Sequence, residues 1–84
     1  MDLARIYWRG VSDFGEVQAE RYYETLIQRF ADIAEAPYKY PSVEHIRESY
    51  RRSVCGTDNI YYRADGKLVE IIRILGRQDV DEHL

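Results

Sequence analysis

The chain has 84 residues, 45% hydrophobic and 32% charged, with a formal net charge of −3. That length holds one small domain spanning 1–84, with a modest core that a partner often completes, and the acidic balance argues against a nucleic-acid binder working through a strongly basic surface. A lone cysteine, Cys55, excludes an internal disulfide framework, and the absence of a membrane-length apolar run or a signal-peptide pattern makes the chain read as cytoplasmic.

Charge is unevenly distributed. Residues 1–36 hold four Arg against seven Asp and Glu, whereas residues 47–77 hold seven Lys and Arg against four acids. The two halves therefore present different faces.

Leu3, Ile6, Tyr7 and Gly10 recur at helical spacing, which predicts a short helix over 2–10 ended by Gly10, with VSDFG as a link of about five residues. From Glu16 to Ala36 the helical pattern is stronger. Ala19, Tyr22, Tyr23, Leu26, Phe30, Ile33 and Ala34 form an apolar stripe opposite Gln18, Glu20, Glu24 and Asp32, and Pro37 stops the run. The pair predicts an antiparallel helical hairpin. At this spacing the aromatic stripe reads as core rather than as a ligand box.

After the connector APYKYPSVEHI the period falls to two. SYRRSVC, NIYYRA and KLVEIIRIL read as three strands, with Asp65-Gly66 as a hairpin signal between the last two. A two-residue loop there pairs Ala64 with Lys67, Tyr62 with Val69 and Ile60 with Ile71. Ile60, Tyr62, Val69, Ile71 and Leu75 then share the helix-facing side, and Tyr61, Leu68, Ile72 and Ile74 the other. Both faces of the last strand are apolar, as in a central strand, yet nothing in the chain covers its far flank. The tail DVDEHL begins with an acid suited to capping a short helix. The fold class is α+β: a helical hairpin on a three-stranded antiparallel sheet, with a short C-terminal helix.

These segments, in this order, resemble the RelE/ParE superfamily of toxins from type II toxin–antitoxin modules. The resemblance rests on DL..IY, G..QAERYYETL...F..IAE.P, I.ESYRRSV.G...IYYR and VEIIRILGRQDV..HL, and the closing segment is nearer the ParE-type toxins. One departure stands out: Met1 sits directly against the first helix, where relatives usually carry a further strand lying beside the last one. An uncovered apolar edge invites pairing with another chain, which predicts a homodimer or an antitoxin segment along Leu68–Leu75.

The resemblance implies a toxin that inhibits DNA gyrase and is neutralised by a cognate antitoxin, with no need of catalytic residues. The sequence has no metal-ligand cluster or phosphate-cradling glycine loop, so no metal and no cofactor is expected, nor a membrane or a direct sequence-specific nucleic-acid partner. Arg73, Arg77 and Asp79 are the candidates for gripping the target. The bland reading of Arg73 is a pairing with Glu70 or a helix acid. Tyr7, Trp8, Tyr23, Leu68, Ile72 and Ile74 are the candidates for antitoxin binding. A RelE-like, ribosome-dependent mRNA endoribonuclease is the alternative, but arginine is a poor general base, and His45 and His83 lie in a connector and a tail. An inactive truncated toxin acting as an interaction module is the third reading.

Overall fold

The computed structural model describes residues 2–76. Helix α1 spans Asp2–Phe14 and α2 spans Glu16–Glu35; strands β1 (Tyr50–Cys55), β2 (Asp58–Asp65) and β3 (Leu68–Gly76) form one antiparallel sheet in the order β1-β2-β3. The predicted α+β arrangement is the observed one, and the expected C-terminal helix lies outside the described residues.

The first helix is longer than the sequence suggests. Gly10 does not end it. Instead Gly10 marks the crossing of the two helices, since a Cβ there would stand 3.3 Å from the Cβ of Ala19. The chain reverses at Gly15 alone, with φ 88°, so the five-residue link is in fact one residue. The second helix ends before Pro37 as predicted.

Leu26 and Ile33 of the α2 stripe are fully buried and Ala19 nearly so. With Ile6, Cys55, Ile60, Tyr62 and Ile74 these residues form the main core between hairpin and sheet. Tyr23 and Ala34, assigned to the same stripe, are exposed. A second, smaller cluster of Val43, Tyr61 and Leu75 lies on the opposite face of the sheet, where Ile46 of the connector and Tyr50 pack against it. The connector also covers the outer edge of β1: Val43 N–H donates to the Tyr50 carbonyl at 2.8 Å and Arg52 N–H to the Pro41 carbonyl at 3.1 Å.

The β2–β3 hairpin closes on Asp65 and Leu68, which places Gly66-Lys67 in the loop and pairs Ala64 with Val69 and Tyr62 with Ile71. The predicted register was two residues off in its pair sums, which preserves the faces of these residues. Beyond them it fails for a different reason. Tyr62 pairs with Ile71 but Tyr61 with Arg73, so Ile72 is an extra residue, a β-bulge. The bulge reverses the alternation beyond it. Ile74 therefore enters the helix-side core and Leu75 the connector-side cluster, opposite to the sequence assignment.

The two adjacent tyrosines of β2 provide an internal comparison. Both are fully buried, but the Tyr62 hydroxyl donates to the Pro37 carbonyl while the Tyr61 hydroxyl has no partner among the described residues. Tyr62→Phe should cost ~1 kcal/mol in urea unfolding, and Tyr61→Phe should be neutral or stabilising, because it removes a desolvated, unbonded group. Equal losses for the two would contradict these hydrogen-bond assignments.

Candidate functional site

Three surfaces stand out, and each follows from how the hairpin meets the sheet. The first is the flank of β3. The outward hydrogen bonds of Tyr50 and Arg52 fix the alternation across the antiparallel sheet, so that Val69, Ile71 and Ile74 turn their backbone groups away from β2. At Ile74 these groups are satisfied by the first turn of α1. The Asp2 carboxylate accepts the Ile74 N–H at 2.9 Å, and Arg5 Nη2 donates to the Ile74 carbonyl at 2.7 Å. Asp2 also accepts Arg73 Nε at 2.7 Å and Arg73 Nη2 at 3.0 Å. The Arg73 bond holds the Asp2 carboxyl below the usual aspartate range; partial burial opposes this, and the Ile74 amide and the Arg5 charge assist it.

Among the described residues no hydrogen bond reaches Val69 or Ile71 from outside the sheet. Beside them lies a cleft of about 400 Å³ lined by Leu3, Phe30, Ile71 and Ile72, with Asp2 and Arg73 at its polar end. Leu68 is 70% exposed. Among the described residues the free length of edge is therefore Leu68–Ile72, shorter than the predicted Leu68–Leu75, because α1 closes it at Ile74.

The second surface is the outer side of the hairpin. The Tyr7 ring contacts both Trp8 (centroids 5.1 Å apart, planes at 79°) and Tyr23 (6.1 Å, 84°). Both pairs are T-shaped, and Trp8 is 66% exposed. Three aromatic side chains thus form a surface cluster rather than core.

The third is a cavity of about 490 Å³ between the second half of α1, the start of α2 and the β1–β2 turn. Ile6, Phe14 and Ala19 give it apolar walls, and Arg9, Tyr22 and Asp58 give it polar groups. The Tyr22 hydroxyl donates either to the Cys55 carbonyl (2.7 Å) or to Asp58 Oδ2 (2.8 Å). Burial, followed by the Asp58 carboxylate, pushes the Tyr22 phenol pKa up. The Cys55 thiol is also raised, chiefly by burial, which keeps it protonated at neutral pH and consistent with a packed thiol.

The sequence candidates are therefore dispersed. Tyr7, Trp8 and Tyr23 come together on the hairpin; Leu68 and Ile72 lie along the β3 flank; Ile74 is buried and its side chain has no surface to offer. Arg73 is bound to the helix acid Asp2. Arg77 and Asp79 lie outside the described residues. Two of the sheet arginines are separately engaged, Arg51 donating to the Tyr40 carbonyl at 2.7 Å and stacking on Tyr38 and Arg63 pairing with Glu70 at 2.5 Å, while Arg52 Nε is buried with no hydrogen-bond partner among the described residues. Asp2, Tyr22 and Asp58 were missed. An acid in the first turn of α1 and an arginine in an apolar strand were the only sequence traces of the Asp2–Arg73 pair.

A family profile described as the ParE toxin of type II toxin-antitoxin system, parDE, matches residues 1–80. Among solved structures, the chain is similar to one titled "Chromosomal ParDE TA system from P. aeruginosa", with a TM-score of 0.77 and 18% identity over 89% of this chain and 83% of that one. No curated protein matches. No helix among the described residues is long and apolar enough to cross a membrane.

Proposed function

The chain belongs to the ParE toxin family of type II toxin–antitoxin systems, and from that premise we propose that it is a single-domain cytoplasmic toxin that inhibits DNA gyrase without catalysing a reaction and is neutralised by a cognate antitoxin. The observation that carries this reading is the family match across residues 1–80. The site chemistry supports it: the buried Cys55 thiol is protonated, and the sheet arginines Arg51, Arg63 and Arg73 serve internal contacts rather than converging on one point. Target binding then rests on surface complementarity, with Arg77 and Asp79 as the candidate contacts beyond β3.

For the antitoxin, the hairpin cluster of Tyr7, Trp8 and Tyr23 supplies aromatic anchors. The Leu68–Ile72 edge supplies backbone groups that are unpaired among the described residues, beside an apolar cleft, which suits an extended segment adding a strand or, without the antitoxin, a second copy of the chain.

Induced expression in bacteria tests the target. Filamentation with a DNA-damage response is expected, together with loss of supercoiling and trapped cleaved DNA when purified protein is added to gyrase. Translational arrest with mRNA cleavage would instead assign a ribosome-dependent nuclease. Arg77→Ala should lower toxicity at equal expression; undiminished toxicity would remove that residue. Antitoxin co-purification should fall at least tenfold with the Tyr7→Ala, Tyr23→Ala double variant, and unchanged recovery would move the docking site elsewhere.

A further inference from the structure

We infer that the Tyr7–Trp8–Tyr23 cluster is a cation-binding box that takes an arginine or lysine side chain from a partner polypeptide. The inference specifies the chemistry of the segment that docks on the hairpin, and so rests on the docking reading above.

The geometry supports this first. Trp8 and Tyr23 both stand nearly perpendicular to Tyr7, at 79° and 84°. Their ring faces are not used up by stacking on one another, and Trp8 is 66% and Tyr23 39% exposed. Aromatic faces carry negative quadrupole potential, and a cation within about 6 Å of a ring centroid gains about 0.5–1 kcal/mol at an exposed site.

Charge is the second, independent support. Residues 1–36 contain seven acids and four arginines, but two of the arginines are directed into the sheet. Arg5 donates to the Ile74 carbonyl, and Arg29 to Ser53 Oγ and the Val54 carbonyl. Arg9 lines the cavity beside Tyr22, and Arg21 belongs to a different surface with Glu24 and Gln28. Glu16 and Glu20 are left exposed beside the box. Their field adds to burial, the larger cause, in raising the Tyr7 pKa, which places both carboxylates within electrostatic reach of its ring. An apolar side chain would bury the rings equally well but would leave the glutamates uncompensated; a guanidinium or ammonium group satisfies both features. Elsewhere the chain already makes this contact within itself, with Arg51 4.9 Å from the Tyr38 ring centroid.

Trp8 is the sole tryptophan, so its fluorescence reports on the box directly. Purified full chain is titrated with hexa-arginine and with hexa-citrulline, its uncharged near-isostere. The expected result is a saturable change in Trp8 emission with the arginine peptide and at least fivefold weaker binding of the citrulline peptide. Glu20→Gln and Tyr23→Leu should each weaken the arginine peptide about two- to fivefold. Glu44→Gln, an equal change in net charge on the connector across the sheet, should leave binding unchanged. Equal binding of both peptides would overturn the cation chemistry while leaving a docking surface in place. Equal weakening by Glu20→Gln and Glu44→Gln would reduce the effect to net charge and also overturn it, as would an unresponsive Trp8. The docking reading stands or falls separately, on co-purification with the Tyr7, Tyr23 variant.

Discussion

Gly56→Ala should destabilise the fold by about 3 kcal/mol, whereas Gly66→Ala, at nearly the same backbone conformation, should cost only about 1 kcal/mol. Both glycines are left-handed, with φ of 59° and 60°, so the backbone penalty is shared. Their surroundings differ. A Cβ at Gly66 meets nothing within 4 Å, while one at Gly56 would lie 2.6 Å from Cε1 of Tyr22. To relieve that clash the Tyr22 ring must move and give up its contacts with the Cys55 carbonyl and with Asp58, which is only 6% exposed. Leaving that acid without its donor accounts for about 2 kcal/mol. Urea midpoints of the two variants measure the difference, and equal costs would show that Tyr22 is not wedged against the turn. Alkaline titration offers a second reading. Because the folded Tyr22 pKa is raised, its contribution is fully present below the unfolded value near 10 and is lost as pH rises beyond it. Tyr22→Phe should therefore flatten the alkaline loss of stability.

Local patterning made most of the elements legible, while contacts between distant segments were not. The α2 stripe is a strong signal because its opposite face is wet, whereas β1 and β2 were legible as short runs bounded by turn residues, although β2 is buried on both faces from Asp58 to Tyr62. The run VEIIRIL gives no such signal. It is apolar at nearly every position, so the extra residue at Ile72 leaves no mark in its pattern, and a single bulge was enough to send Ile74 and Leu75 to the wrong faces. Gly10 misled for a related reason: glycine serves either to end a helix or to let two helices meet, and only the position of Ala19 decides between them. Tyr7, Trp8 and Tyr23 were legible as aromatic anchors, but their meeting on one outer face depends on the one-residue turn at Gly15. Arg73 was singled out as a surface residue, although its partner lies 71 positions away in the sequence.

That partner makes the last prediction. Asp2→Ala should cost about 2–3 kcal/mol at neutral pH, because one carboxylate accepts two bonds from Arg73 and one from the Ile74 amide. The loss should depend on pH with a definite sign. A carboxylate held below its ordinary value near 3.8 stabilises the fold fully above that value and loses the effect as pH falls through the lowered one. The gap between wild type and Asp2→Ala in urea should therefore be widest near neutrality and narrow progressively below about pH 4; a gap of constant size down to pH 2 would mean that the residue acts through helix packing rather than through its charge. The same substitution bears on association. Asp2 and Arg5 are what stop the open flank of β3 at Ile74, and removing the carboxylate frees another backbone donor next to Val69 and Ile71. Light scattering should then show more self-association in Asp2→Ala than in the parent protein, and Asp2→Asn should lie between them, since its amide oxygen can still accept the Ile74 N–H. If Asp2→Ala associates no more than the parent, the edge is not limited by this contact.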